Sequence, residues 1–310
     1  MRARAVYVCW SVFHRSSNTT TTHTQIVFKR IYPALATKVI ANETYSNGGQ
    51  IGCNIAIGTG GEVYVAWHDY QTGGPDTGKV RFRWNDGAGA DVNWNAATSL
   101  ATFRRFNVTI YCKNVTGMGN RDCIQGNGNP FRIGFMPGLA VDMKGGVHVV
   151  YADNVTTGSS KHGDILYMNS DNCKGAGGCT WSTAITINRD TTNRDQFIPW
   201  IHLSNITSSS NPRGTIYVVA LDRRDDSNNI NWKVWSYTCA PGSSLGCRSS
   251  SDRANIVVSD RSIHNHAQTF IGDYNGITHT KTRESYPLWI DDLDYDNNKK
   301  FDVKGDWSKR

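Results

Sequence analysis

Nothing in these 310 residues is built for a long helix: no twelve-residue stretch carries an apolar stripe at i, i+3, i+4 and i+7. No apolar run reaches the ~20 residues that a bilayer-spanning helix requires. The cysteines form no C-x2-C knuckle of the kind that holds zinc. Glutamate is nearly missing, with only Glu43, Glu62 and Glu284 present. Basic residues are in excess, at a net charge of +7, yet they are scattered, with tight couples such as Arg104-Arg105, Arg223-Arg224 and Lys299-Lys300 and no longer run. Such a field attracts acidic glycans and anionic surfaces weakly, and no sequence-reading nucleic-acid motif accompanies it.

Thirty glycines, thirteen tyrosines and ten tryptophans, set among many Asn, Ser and Thr, favour strands and turns. Hydrophobic content of 38% is enough for a substantial core. One pattern recurs. VYVAWHD at Val63 to Asp69 is followed by VHVVYAD at Val147 to Asp153, IYVVALD at Ile216 to Asp222 and YPLWID at Tyr286 to Asp291, while Val6-Tyr7-Val8-Cys9-Trp10 is a further copy. Around it the chain reads as four-strand units, with Gly60-Gly61, Gly145-Gly146 and Arg213-Gly214 as hairpin turns between first and second strands. Repeated four-stranded antiparallel units predict an all-β fold, a β-propeller whose blades pack face to face around a channel. Five units are recognisable. They make either a five-bladed ring with a composite blade or part of a larger, six-bladed ring.

Eight cysteines suggest an oxidising compartment. Cys112 with Cys123, Cys173 with Cys179 and Cys239 with Cys247 form close couples, leaving Cys9 with Cys53, and all four read as loop staples. Asn-x-Ser/Thr sequons at Asn18, Asn42, Asn107, Asn114, Asn154 and Asn205 agree with an extracellular or lumenal home. MRARAVYVCWSVF has the basic start and apolar run of a signal peptide. Its match to the repeat instead marks it as mature structure, so a signal is expected upstream of Met1, with residues 1–310 forming a single domain.

The strand-turn-VYVAW-x-Asp units, with FIGDYNGI at Phe270 to Ile277 and YPLWID, resemble the sialidase-like, Asp-box (BNR-repeat) propellers of secreted exo-α-sialidase-like proteins. The Asp boxes are degenerate here: Ser170-Asp171 precedes Thr180-Trp181 with an insertion, and Asn85-Asp86-Gly87 precedes Trp94. The resemblance implies an arginine clamp for a carboxylate, a tyrosine nucleophile paired with a glutamate, and an aspartic acid-base. Arg132, in Phe131-Arg132-Ile133-Gly134, is the first clamp candidate, with Arg223 and Arg283 for the others. Tyr274 or Tyr286 supplies the phenol, Glu284 its partner and Asp69 the acid-base, while Trp289 joins the substrate-binding set. Sialidase activity would use a forked guanidinium to grip the substrate carboxylate.

The repeated Asp69, Asp153, Asp222 and Asp291 should share one rim. They either build a polar funnel for sugar hydroxyls or cap the turns that follow them. Paired carboxylates for ordinary glycoside hydrolysis remain open, as does a lyase-type His/Tyr pair drawn from His68, Tyr70 and His148. Asp292, Asp294, Asp296 and Asn298 place oxygens at alternate positions, as a Ca2+ loop does, without its glycine or final glutamate. His264, His266 and His279 are residue types for zinc. No cofactor is otherwise required. The partners expected are glycans or glycoconjugates, and the alternative is a non-catalytic interaction propeller that binds copies of itself or another surface protein.

Overall fold

In the computed structural model, the described residues are 5–17, 21–32, 36–44, 49–70, 77–87, 94–105, 122–126, 130–134, 136–157, 160–171, 173, 178–240, 247, 253–264, 271–272, 275–279, 285–291 and 302–305. They form antiparallel sheets throughout. The first blade is β1 (Val6–Arg15), β2 (Thr21–Tyr32) and β3 (Lys38–Thr44); the second is β4 (Gln50–Ile57), β5 (Val63–Asp69), β6 (Thr77–Asn85) and β7 (Thr98–Arg104). A short ribbon, β8 (Cys123–Ile124) with β9 (Phe131–Arg132), precedes the third blade of β10 (Gly138–Val141), β11 (Val147–Thr157), β12 (Ser160–Ser170) and β13 (Ile185–Thr186). The fourth is β14 (Gln196–Leu203), β15 (Ile216–Asp222), β16 (Lys233–Cys239) and β17 (Arg253–Val257), and the fifth β18 (Gly276–His279), β19 (Ser285–Asp291) and β20 (Asp302–Gly305). The first strands β4, β10, β14 and β18 pack in succession, which is the inner wall of a β-propeller.

Double-sided burial explains why the recurring strand is apolar throughout. All seven residues of β5 are buried. Its odd residues Val63, Val65 and Trp67 join a core with Ile26, Phe28 and Ile40 of the first blade. Its even residues Tyr64 and Ala66 join Leu139, Val149 and Tyr151 of the third. Successive side chains alternate faces in a strand, so one apolar run serves two blade interfaces. Each large side chain buried this way contributes about 1.5–3 kcal/mol. β15 repeats the arrangement between the third and fifth blades. β1, which matches these strands in sequence, pairs among the described residues with β2 alone and is correspondingly half exposed. The N-terminal unit thus begins at the position of a second strand, as its sequence predicts.

The turns between first and second strands use the same device three times, with Gly61, Gly145 and Gly214 at φ of 96°, 87° and 88°. That left-handed backbone favours glycine, and a Cβ on Gly214 would also strike the Ser204 carbonyl oxygen.

Three of the expected disulfides are formed: Cys9–Cys53, Cys173–Cys179 and Cys239–Cys247. Cys123 is also disulfide-bonded, and Cys112 lies outside the described residues. One expectation is corrected. Cys9 stands on β1 and Cys53 on β4, so this bond is no loop staple but a tie between two blades. Replacing both residues by Ser should lower stability by about 3–4 kcal/mol, because the bond restricts a long segment of the unfolded chain; denaturant melts of oxidised wild type and variant measure the loss.

Candidate active site

The motif aspartates stand on the second strands of four blades, but their partners differ. Asp222 is almost fully buried and accepts hydrogen bonds from Arg224 N at 2.7 Å, Arg224 Nε at 2.8 Å and Tyr237 Oη at 2.7 Å. The bond from the backbone two residues on is the turn-capping role. Asp153 instead accepts Arg104 N of the second blade at 2.6 Å, and β11 runs four residues past it rather than ending there. Asp291 accepts Arg261 Nη2 at 2.5 Å and Trp289 Nε1 at 3.1 Å, and Asp69 lies 3.8 Å from Arg81 Nε.

From Asp222 a polar network crosses to the third blade. Gln196 opens β14 directly opposite Asp222, and its Nε2 donates to Asp222 Oδ1 at 3.2 Å and to Asp190 Oδ2 at 2.8 Å. Asn188 Nδ2 donates to Gln196 Oε1 at 3.0 Å and to Asp164 Oδ1 at 2.9 Å. Asp164 in turn faces Asp153 across the β11–β12 hairpin. Asp164, Asp190 and Asp222 are therefore joined through Asn188 and Gln196 where the third and fourth blades pack, while Asp153, across the hairpin from Asp164, bonds the second blade; Arg224 is laid on Trp235 at 4.2 Å and bonded to the Asn188 carbonyl at 2.9 Å.

These acids are not equivalent. Asp222 is filled by donors, whereas Asp164 keeps 13% of its side chain exposed and its second oxygen is 3.8 Å from His162 Nε2. Burial, with the charges of Asp190 and Asp222, raises the Asp164 pKa above the ordinary carboxylate value despite the help of Asn188 and His162. Burial raises Asp153 as well, and the Asp164 charge adds to it. Tyr237 is pushed well above the usual phenol range by burial and the Asp222 charge, so it stays protonated and donates. Arg224 is raised: burial opposes its charge, and the bond to Asp222 outweighs that. Arg189, next to Asp190, holds a left-handed φ of 48°, a strained backbone of the kind that clusters at ligand sites.

Of the three arginines expected to converge, Arg132 and Arg223 are described, and they face different ways. Arg223 is fully buried, donates to the carbonyls of Asn229 and Gln125 at 2.7 Å each, and lies 3.5 Å from Asp195. Phe131, Phe197 and Trp232 surround it at 5.3 to 6.0 Å. It braces the interior instead of opening to a ligand. Arg132, half-buried, follows Phe131 on β9 and so points to the opposite face from that ring and from Arg223. Tyr286 is half-buried and Trp289 buried on β19. Tyr274, Arg283, Glu284, Asp292, Asp294, Asp296 and Asn298 lie outside the described residues, as do His266, Asn18, Asn107 and Asn114.

His68 is buried against Phe103 at 4.0 Å and Tyr70 at 4.6 Å, and burial with nearby Arg105 holds its pKa far below the usual imidazole range. His148 bonds Tyr167 Oη at 2.6 Å and Asp142 Oδ2 at 3.1 Å, while Arg213 from the fourth-blade turn reaches both Asp142 at 2.7 Å and Asp171 at 2.8 Å. Burial opposes ionisation of Asp142, but His148 and Arg213 bring its pKa down to about 2. Both His148 and Asp142 are sealed, which makes this a clamp between blades and not a lyase pair. Glu62 closes its own turn by accepting Gly60 N at 3.0 Å. His279 meets His202 at 2.7 Å rather than His264. Among the described residues, no three His, Cys, Asp or Glu side chains are placed to hold a metal, and no helix is long and apolar enough to cross a membrane. Asn42 and Asn205 are exposed, while Asn154 is buried and its Nδ2 donates to the Arg105 carbonyl at 3.2 Å.

Solved structures similar to this chain include glycoside hydrolases, sialidases and a polysaccharide lyase. An α-L-arabinofuranosidase from Fusarium graminearum aligns with 98% of the chain and 72% of its own length at TM-score 0.45 and 9% identity. NanB sialidase from Streptococcus pneumoniae aligns with 86% of the chain and 32% of its own length, at 0.42 and 11%. An endo-arabinanase from Bacillus licheniformis aligns with 98% and 89%, at 0.43 and 10%. Neither the protein-family models nor the curated proteins contain a match.

Two substitutions should separate anchor from strained acid. Asp222→Ala leaves Arg224 and Tyr237 facing a void and should cost about 3–5 kcal/mol. Asp164 has a raised folded pKa, so its ionisation destabilises the fold as pH rises through that value. Asp164→Asn should therefore raise Tm at neutral pH, with the gain fading once pH falls below about 4, where the unfolded carboxyl is protonated as well.

Proposed function

We propose that the chain is an extracellular glycan-processing propeller, in which Asp164 donates a proton at the rim between the third and fourth blades and Asp190 is its carboxylate partner. The observation that carries this reading is the raised pKa of a partly exposed Asp164 beside three other acids. A carboxyl with a raised pKa holds its proton to higher pH than an ordinary one, and so is better suited to protonate a glycosidic oxygen as the bond breaks. A second carboxylate then serves as nucleophile or as base for water, according to its distance. Asp190 is positioned by Thr192 N at 2.9 Å, Thr192 Oγ1 at 2.6 Å and Gln196 Nε2 at 2.8 Å. Arg223 is used internally, which favours a neutral glycan over a sialylated one. The disulfides favour an oxidising compartment.

A second reading, a non-catalytic interaction propeller, draws on the exposed apolar residues of β1, Val6 at 50%, Trp10 at 39% and Phe13 at 47%. A panel of fluorogenic glycosides, neutral and sialylated, tests both. The proposal expects turnover of a neutral substrate and a loss of at least about 100-fold in Asp164→Asn without loss of fold. Wild-type protein inert on the whole panel refutes it in favour of the second reading.

A further inference from the structure

β5 and β15 are hidden between neighbouring blades, but the second strands of the first and fifth blades are not. Aligned on the recurring motif, Val6, Val8 and Trp10 of β1 take the places of Val63, Val65 and Trp67 of β5. In β5 those three are fully buried against Ile26, Phe28 and Ile40 of the preceding blade. In β1 they look away from the second blade, because Tyr7 and Cys9, which alternate with them, are the residues packed towards it. Val6 is accordingly 50% exposed and Trp10 39%.

This apolar face runs across the blade. Trp10 stands opposite Val27, and Val27 opposite Val39, which is 43% exposed. Directly opposite residues share a face, so Val6, Val8, Trp10, Val27 and Val39 form one surface over three strands. The fifth blade carries the counterpart. Aligned on the terminal aspartate, Tyr286 and Leu288 of β19 take the places of Tyr64 and Ala66, on the face that β5 turns to the next blade. Trp289, which alternates with them, is buried in the core shared with the fourth blade, whereas Tyr286 is half-buried and Leu288 is 50% exposed.

The two surfaces are the halves of one ordinary blade contact. Between the first and second blades, and again between the second and third, the face turned forward along the chain meets the face turned back. The open pair consists of the forward face of the fifth blade and the backward face of the first. Both are exposed in the same molecule, so neither covers the other. An apolar surface that is continuous over three strands marks an association site, unlike single exposed side chains. The surface that continues the series is already written in this sequence, on the fifth blade of another molecule. Such a contact joins unlike faces, and it therefore builds a ring or an open chain of copies and not a two-fold pair.

We infer that the backward face of the first blade is an interface for a second copy of this chain, whose fifth blade lays its forward face, centred on Leu288, over Val6, Trp10 and Val39. The packing of blade on blade then passes from one molecule to the next. The inference stands whether or not the Asp164 site turns over.

Sedimentation velocity of the intact chain over a range of micromolar concentrations tests it. The average mass of wild type should rise with concentration. Trp10→Glu on the backward face and Leu288→Glu on the forward face should each weaken self-association at least about tenfold. The far-UV spectrum should not change, because both side chains stand partly in solvent, and Val39→Glu should repeat the Trp10→Glu result through an independent side chain. A mixture of Trp10→Glu with Leu288→Glu separates this contact from any other. Each variant keeps the face that its partner has lost, so together they should form a one-to-one complex that grows no further. Turnover of a glycoside that reports on Asp164 should be the same in both variants as in wild type, so failure here and failure of the catalytic reading are told apart. The inference is overturned if wild type stays monomeric at every concentration, if either face can be charged without loss of assembly, or if the mixed variants do not associate.

Discussion

A strand buried on both faces is the constraint from which the rest of the molecule follows. β5 and β15 expose none of their residues; β5 feeds alternate side chains into two inter-blade cores, and β15 buries its apolar residues in one core shared with the third and fifth blades. Only a nearly continuous apolar run can do this, since one polar side chain in the middle would be stranded in a dry interface. Polar residues are therefore displaced to the strand end, where the motif aspartate appears. Buried there in its turn, it must find donors. Each blade supplies them differently, by a following loop, an arginine of the segment after β17 or the neighbouring blade.

That requirement separates structure from chemistry. Asp222 is absorbed by its partners, and its network holds two further acids, Asp164 and Asp190, that belong to no repeat. The blade interface thus confers on Asp164 both the burial and the neighbouring negative charge that raise its pKa. In the second blade Gln50 stands opposite Asp69 as Gln196 stands opposite Asp222, but the amide of Gln50 is not bonded by the protein. One repeated scaffold thus supports a closed network in one blade and not in another.

The blades were legible because periodicity is a property of the chain alone: VYVAWHD, VHVVYAD and IYVVALD announce equivalent strands, and close cysteine couples announce their bonds. The site was less legible. Asp164 lies on a third strand within GDILYMN, and nothing in those letters shows that it faces Asp153 across the hairpin or reaches Asn188 beyond β13. Arg223 next to a motif aspartate reads like a ligand clamp, yet three aromatic rings from distant segments enclose it. The Cys9–Cys53 bond was found by elimination, but its role in tying two blades depends on β1 and β4 being neighbours, which is a tertiary fact.

The account depends most on one acid whose pKa is raised by the interface that surrounds it. Carbon-13 carboxyl NMR of aspartate-labelled protein, titrated with pH and assigned with Asp164→Asn, measures that directly. The Asp164 resonance should titrate above the ordinary aspartate value of about 3.9. A midpoint at or below that value would contradict the account.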